Sequence, residues 1–347
     1  MRKLKKEIFI KDIAIGKNNP IAIQSMTNTK TCDIESTVFQ IKQLEQIGCN
    51  IIRVAIVDRN DAMAISEIKK QVNIPVVADI HFDYKLAIES IKAGADKIRI
   101  NPGNIGSKEN LKKIIDVAKK YNIPIRIGVN SGSIEKVLLD KYHGPTIEAM
   151  IESLDSHIKF FEEQNFTNLV LSIKTTDLDD TIKVNKLLNE HYDYPIHIGL
   201  TESGTEKSGT VRSSYALGTL LSQDIGDTIR VSLTTDPTEE IVIAKEILAM
   251  THHLVKPTLI SCPTCGRTAY DMMPIVKEVE KYLNTINKDI KVAVMGCVVN
   301  GPGEAKHADI GIAGGLKKGV LFKKGEIIKT IPEEDIVKEL IKEIEKM

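Results

Sequence analysis

The sequence predicts an α/β protein: a (β/α)8 TIM barrel followed by a small α+β domain. Three observations lead there. After Pro20, short and uniformly apolar runs recur, each followed by a loop and then by a stretch with helical periodicity. Eight such runs can be counted, and they lack the in-out alternation of half-exposed strands; strands buried on both faces read this way. Beyond His253 the rhythm stops, and a segment of different character begins, with three cysteines on Gly- and Pro-rich loops.

The elements follow in order. Glu7 to Gly16 alternates and reads as a short hairpin ahead of the main fold. The apolar runs are Ile21–Gln24, Ile51–Val54, Pro75–Asp79, Lys97–Ile100, Ile125–Gly128, Leu169–Ser172, Ile196–Gly199 and Ile229–Ser232. Between them, Ile34, Val38, Ile41 and Leu44 share one helical face, and Leu111, Ile114, Ile115 and Ala118 share another behind Ser107 as N-cap. Asp236-Pro237-Thr238-Glu239 supplies an N-cap, a first-turn proline and a capping-box acid for a helix carrying Ile241, Ala244 and Ile247. An open doubly wound sheet is the competing architecture, but no G-x-G-x-x-G follows the first strand. The expected division is a barrel over residues 1–253, a linker over 254–260 that contains Pro257, and an α+β domain over 261–347. In the last, a helix carries Tyr270, Met273, Val276, Val279 and Leu283. A strand Val292–Met295 follows, then strands at Ile310–Ile312, Val320–Phe322 and Ile327–Ile328, and a closing helix carries Ile336, Val337, Leu340 and Ile344.

Composition bounds the function. The chain has 347 residues, with 42% apolar and 27% charged, ordinary values for a globular protein. Lys+Arg and Asp+Glu balance at 47 each, so global charge supports neither a nucleic-acid nor a membrane partner, and any anion site must come from local arrangement. No apolar run is long enough to span a membrane, and the start of the chain lacks the apolar core of a signal peptide. The 5 cysteines in so long a chain argue for a reducing, cytoplasmic setting rather than a disulfide framework.

Barrels of this kind build their sites from strand carboxyl ends and the loops after them. Here those positions carry Gln24 to Asn28, Arg53, Asp79, His81, Arg99, Asn101, Asn104, Arg126, Gly128, Asn130 and Ser131, then Ser172, Lys174, His197, Thr201, Glu202, Ser203, Arg230, Ser232 and Asp236. Arg53, Arg99, Arg126, Lys174 and Arg230 are the informative ones, because each lies in or directly after an apolar run where a solvated cation is not expected. Their convergence calls for an anion, and a phosphate or diphosphate suits forked guanidinium donors. The alternative is that some of them pair with Asp79, Glu202 or Asp236 inside the barrel. The glycines of Asn101-Pro102-Gly103-Asn104-Ile105-Gly106 add backbone N–H groups before a helix. His81 and His197 read as hydrogen-bonding residues rather than metal ligands. Cys49 reads as a buried apolar residue, and Cys32, in a loop near the mouth, as incidental.

The other cysteines make a constellation. Cys262 and Cys265 form a C-x-x-C, and Cys297 follows a helix and a strand, with Glu304 the next potential ligand. Zinc in structural sites takes N or S ligands from compact knuckles, and no second C-x-x-C is present. An iron–sulfur cluster needs one ligand per iron, and three thiolates plus a carboxylate would leave one iron with a replaceable ligand. Both readings stand on the residues alone.

Cys-Pro-Thr-Cys-Gly-Arg-Thr followed by Met-Gly-Cys-Val-Val-Asn-Gly-Pro-Gly-Glu-Ala resembles the 4-hydroxy-3-methylbut-2-en-1-yl diphosphate synthase family, and the resemblance covers essentially the whole chain. It extends to Ile23-Gln24-Ser25-Met26-Thr27-Asn28-Thr29, Ala78-Asp79-Ile80-His81, Arg99-Ile100-Asn101-Pro102-Gly103-Asn104, Arg126-Ile127-Gly128-Val129-Asn130 and Leu200-Thr201-Glu202-Ser203-Gly204. The resemblance implies a TIM barrel joined to a [4Fe-4S] domain, with Cys262, Cys265, Cys297 and Glu304 on the four irons. It implies 2-C-methyl-D-erythritol 2,4-cyclodiphosphate as substrate, bound by Arg53, Arg99, Asn101, Arg126, Asn130, Ser131, Lys174, His197 and Arg230. The implied reaction is a two-electron reductive ring opening with loss of water, in isoprenoid biosynthesis. Glu202 is then the candidate for proton transfer or stabilisation of the intermediate, and Asn300 for placing the substrate near the iron. Flavodoxin or ferredoxin is the implied electron donor. A homodimer is implied too, in which the cluster domain of one chain caps the barrel of the other. The competing readings are a zinc-dependent or pterin-type barrel transferase and an iron–sulfur electron carrier or sensor.

Overall fold

Eight parallel strands, each too apolar to face water, close on one another in the computed structural model, which describes residues 4–297 and 305–347. They are β3 (Ala22–Met26), β4 (Ile51–Ile56), β5 (Val76–Ile80), β6 (Lys97–Ile100), β7 (Ile125–Asn130), β8 (Leu169–Lys174), β9 (His197–Gly199) and β10 (Thr228–Arg230). Their order is β8-β7-β6-β5-β4-β3-β10-β9, and a single parallel bridge between Leu171 and Ile196 joins the two ends of that row. The expected barrel is therefore present, with its thinnest seam between β8 and β9.

The N-terminal hairpin is also present. Strands β1 (Ile8–Ile10) and β2 (Ile13–Ile15) pair antiparallel. Ile8, Ile10 and Ile15 pack against Ala22, Ile51, Val77 and Val170 at the start of the barrel strands, forming an apolar plug at that end. Pairing along the barrel wall puts polar residues side by side at the other end: Asp79 opposite Arg99, Arg99 opposite Arg126, Asn130 opposite Lys174 and Arg230 opposite Gly199.

The outer helices form where the periodicity places them. Helix α1 (Ile34–Gln46) starts at Asp33, whose carboxylate accepts from the Ser36 N–H, and buries Val38, Ile41 and Leu44. The helix Lys108–Tyr121 starts at Ser107, buries Leu111, Ile114, Ile115 and Ala118, and stops at Asn122 in the left-handed conformation. The helix Pro237–Met250 starts at Asp236, which accepts from the Thr238 N–H. Between β7 and β8 the chain departs from a simple one-strand, one-helix unit. Two helices, Lys136–Tyr142 and Ile147–Glu163, fill that interval, parted by His143 at φ 58° and Gly144.

The chain divides into two units, the first ending at His253 and the second beginning at Leu254. Residues 254–260, expected as a linker, run into a strand, β11 (Thr258–Ser261). Thr-Leu-Ile is good strand sequence, and Pro257 lies just outside it, so the proline marks the start of the strand rather than a flexible joint. In the second unit β11, β12 (Lys291–Met295), β13 (Ile310–Gly315), β14 (Lys318–Lys323) and β15 (Glu326–Pro332) lie in that order. The first three are parallel and the last two antiparallel. Alternation divides the side chains between two faces. Val292, Val294, Ile312 and Leu321 pack under the helices Met272–Leu283 and Ile336–Glu345. Ala293, Met295, Ala313 and Phe322 form a second, smaller cluster with Ala305 and Ala308, and Cys262 packs against both clusters.

Candidate functional site

Two cavities hold the residues singled out by the sequence, one in each unit. The first, of about 240 Å³, opens at the carboxyl ends of the barrel strands. Arg53, Arg99, Arg126, Lys174 and Arg230 all line it, with Asn130, Ser172, Ser232 and a single carboxylate, Asp79. All the strand-end cations named from the sequence thus converge on one space.

Pairing inside the barrel is real but incomplete. Asp79 stands 3.5 Å from Arg53 Nε and 3.1 Å from Arg99 Nη1. His81 lies 3.6 Å from the same carboxylate. Arg230 Nε is 3.7 Å from Glu240, a buried residue of the helix Pro237–Met250. The Glu240 carboxylate also accepts from Ser25 Oγ at 3.0 Å and from the Leu233 N–H at 3.0 Å. Asp236 serves as a helix cap instead, and Glu202 makes no ion pair among the described residues. Arg126 has no carboxylate partner there either, and its Nε and Nη1 are buried without hydrogen-bond partners. Arg53 donates from Nε (3.1 Å) and Nη2 (2.9 Å) to the Met26 thioether, a weak acceptor for such donors.

The electrostatics follow from burial of like charges. Burial, then the neighbouring Arg230 and Arg99, push Arg53 down to about 9, with Asp79 opposing. Burial and then neighbouring arginines hold Arg126 and Lys174 well below their ordinary values. An arginine does not release its proton, so for Arg126 the direction expresses how unfavourable its buried charge is. Burial alone would raise Asp79, but Arg53, the His81 hydrogen bond and Arg99 outweigh it and hold the carboxyl far below the usual range.

Glycines make room for these cations. A Cβ on Gly128 would stand 3.1 Å from Arg99 Nε, and one on Gly199 would stand 2.7 Å from Lys174 Nζ and 2.8 Å from the Arg230 carbonyl. Side chains of any size there would displace the charges from the mouth.

Other expected residues lie nearby but do not line this cavity. Asn101 is buried at the end of β6, and Ser131 is half-buried directly after β7. His197 is fully buried, with Nδ1 2.7 Å from Thr228 Oγ1, and burial and then Arg126 keep it well below its ordinary value. Glu202 is exposed in the loop after β9, in the left-handed region at φ 52°, beside the lining residue Thr201. Two buried residues that face these charges were not singled out. Glu240 sits within a helix, where nothing in the sequence marks it. Lys97 alternates with Arg99 on β6, and that two-residue period was the available signal.

The second cavity, of about 280 Å³, is lined by Cys262, Cys265 and Cys297 with Pro263, Arg267, Thr268, Met295 and Gly296. Cys262 directly follows β11 and Cys297 leaves β12, so parallel pairing brings their loops to the same end of the sheet. The Gly296 N–H donates to Cys262 Sγ at 3.0 Å. The Cys265 N–H donates to Thr268 Oγ1 at 3.1 Å, the Ala269 N–H to the Gly296 carbonyl at 2.9 Å and Tyr270 Oη to the Met295 carbonyl at 3.2 Å, which ties the two cysteine segments together. The Arg267 backbone N–H lowers the exposed Cys265 thiol.

Among the described residues, no three Cys, His, Asp or Glu side chains are grouped so as to grip one metal ion. The sulfurs share a cavity rather than a point. A thiol set arranged around a space, one sulfur already accepting an N–H, fits a multi-atom iron–sulfur group, whose sulfurs are tuned by such hydrogen bonds. Glu304 and Asn300 lie outside the described residues.

Known proteins sharpen this picture. Residues 5–245 match the GcpE TIM-barrel domain, and residues 258–346 match the GcpE protein C-terminal domain. A relative from Caldanaerobacter subterraneus subsp. tengcongensis is 57% identical over 100% of this chain and 98% of its own length. One from Clostridium perfringens is 53% identical over 99% of each chain. Both are named 4-hydroxy-3-methylbut-2-en-1-yl diphosphate synthase (flavodoxin). Among solved structures, the N-acetylneuraminic acid synthetase of Leptospira borgpetersenii is similar at a TM-score of 0.53 and 12% identity, over 73% of this chain and 91% of that one. The 7,8-dihydropteroate synthase of Vibrio fischeri is similar at 0.51 and 12%, over 71% and 98%. These last two share the fold alone. Matched in both of its units and along its whole length, the chain belongs to the GcpE family.

Proposed function

We propose that this chain carries out the reaction for which its relatives are named: reductive ring opening and dehydration of 2-C-methyl-D-erythritol 2,4-cyclodiphosphate to (E)-4-hydroxy-3-methylbut-2-enyl diphosphate. It is then an iron–sulfur oxidoreductase, with a [4Fe-4S] cluster on Cys262, Cys265, Cys297 and Glu304. The observation that carries the reading is the barrel mouth, where four buried cations, Arg53, Arg99, Arg126 and Lys174, and the half-buried Arg230 line one cavity with a single carboxylate, Asp79, among its described lining residues. A diphosphate supplies the anionic oxygens that Arg126 lacks among the described residues, and that Arg53 otherwise has only from Asp79, which it shares with Arg99.

The residues divide the work. Arg53, Arg99, Arg126, Lys174 and Arg230 bind the diphosphate, and Asn130 and Ser131 after β7 orient it. Asn101 supports the adjacent turn, and His197 holds the barrel wall beneath. Glu202, exposed in the loop after β9, transfers a proton during loss of water. Asn300 places the ligand. When bound, the cluster supplies the two reducing electrons one at a time. Flavodoxin, printed in the names of the relatives, is the proposed donor, and a homodimer the proposed assembly.

Anaerobic purification tests this. A brown protein with about four irons and four sulfides per chain, turning over the cyclodiphosphate with a low-potential reductant, is the expected result. Bound zinc without iron would support a zinc-dependent transferase instead. A reducible cluster with no turnover would support an electron carrier. Sedimentation of the iron-loaded protein checks the dimer.

A further inference from the structure

Behind the anion site the barrel holds a second polar layer that the proposed chemistry does not use. Lys97 opens β6 with its side chain fully buried. Its one hydrogen bond goes to a neutral acceptor, Gln24 Oε1, at 3.4 Å. Gln24 Nε2 and His197 Nε2 are buried there without hydrogen-bond partners. The charged groups facing Lys97 are cations: Arg53 from β4 and Arg126 from β7. His197 on β9 faces Lys97 and also Lys174 of β8. The carboxylate lining the mouth, Asp79 on β5, is engaged by Arg53 and Arg99, and Asp96, next to Lys97 in sequence, is paired with Lys69.

The groups in this cluster able to shed charge are its two buried lysines: Lys174 in the mouth itself and Lys97 behind it, whose hydrogen bond goes to a neutral acceptor. Arginine keeps its proton, whereas a buried ammonium gives its up readily. An anion arriving in the mouth, against Arg53 and Arg126, reverses the balance and favours the ammonium.

We propose that Lys97 is a positioning residue that takes up a proton when a diphosphate occupies the barrel mouth, completing the neutralisation of the ligand from behind Arg126. The proposal rests on the reading of the mouth as a diphosphate site. The proton comes from solvent and bonds to the Lys97 amine, and no other bond is made or broken. In support, burial and then Arg126 and Arg53 hold Lys97 well below an ordinary lysine. The proposal requires that the empty-barrel form be the free amine at a pH where the ligand-bound form is charged, which the proton count below reads directly.

The test is calorimetric titration of the full chain with inorganic pyrophosphate at pH 8, in buffers of different ionisation enthalpy, which counts protons taken up per ligand bound. Pyrophosphate's own protonation is common to all variants and cancels in differences. Wild type is expected to take up about one proton more than Lys97→Met or Lys97→Gln, both of which still bind. The second variant retains a hydrogen-bond donor for Gln24, so the comparison survives if the first does not fold. Equal proton counts in wild type and variants, or a wild-type count no greater than that of pyrophosphate itself, would overturn the proposal while leaving the diphosphate site intact. No pyrophosphate binding by wild type would overturn both.

Discussion

In the barrel mouth every cation rises from a buried strand, whereas in the second unit the three thiols sit on loops beyond the ends of a parallel sheet. Arg53, Arg99 and Arg126 are fixed by backbone pairing on both sides, and Lys174 and Arg230 on one. Their repulsion is built into the barrel and is relieved in part by Asp79 and Glu240. The thiols repel nothing. Cys265 is exposed, Cys262 is half-buried, and the sulfurs share a cavity without meeting. One region is assembled at a cost whether or not an anion is present; the other, on the proposed reading, leaves part of its assembly to a bound cluster.

That contrast can be broken from either side. The largest effect is expected in the second unit, where the group organises the site. Cys262→Ser should lose iron and lower turnover by more than the about 100-fold typical of outer partners of a metal, with barrel melting unchanged. Iron analysis beside calorimetry checks both halves. In the barrel, Asp79→Asn should cost about 3–5 kcal/mol, because it strands Arg53 and Arg99. Asp79 is held below the usual carboxylate range, so its contribution is complete above about pH 4. It is lost as the pH falls through the lower folded-state value. Urea midpoints of wild type and variant should therefore converge in acid, and a gap that stayed constant would exclude the ion pairs as the cause.

Arg126→Met should move two quantities in opposite directions. KM for the cyclodiphosphate should rise about 10- to 100-fold, the worth of a lost charged hydrogen bond. The ligand-free chain should melt higher, since an unpaired buried charge has gone. A variant that bound worse and melted lower would mean that the mouth is not assembled under repulsion. The smallest effect is expected for Gly199→Ala, whose new methyl would press on Lys174 Nζ and the Arg230 carbonyl. A rise in KM of about 10-fold, from roughly 1–3 kcal/mol of overpacking, is expected in steady-state kinetics.

The barrel was legible because its strands are buried on both faces and its helices keep strict periodicity, as at Leu111, Ile114, Ile115 and Ala118. The strand-end cations were legible for the same reason, since arginine stands out in runs such as Lys97–Ile100. Pairing was harder to read. Glu240 reaches Arg230 from a helix encoded after β10, and no local pattern connects them. Asp79 was recognised as a possible partner, but that it would serve two arginines at once depends on the register of three strands. Of residues 254–260, only 254–257 lie outside regular structure, and the strand that Thr258 opens was not visible because its pairing partner, β12, lies far along the chain. Which chemistry the cysteine cavity holds depends on spacing in three dimensions, and C-x-x-C fixes only two of its sulfurs.

The plug at the far end of the barrel has a consequence for the order in which the molecule is made. Ile8, Ile10 and Ile15 precede every barrel strand in the sequence, yet they pack on Val77 and Val170 as well as on Ala22. The Lys6 N–H donates to the Asp193 carbonyl, and Lys5 Nζ donates to the carbonyls of Asn189 and Tyr192. Closing loops of that length costs entropy that local contacts cannot repay. Strands β1 and β2 can therefore make these contacts only once β8 and the helix that follows it exist, so a segment that precedes the barrel in the chain depends on elements encoded long after it.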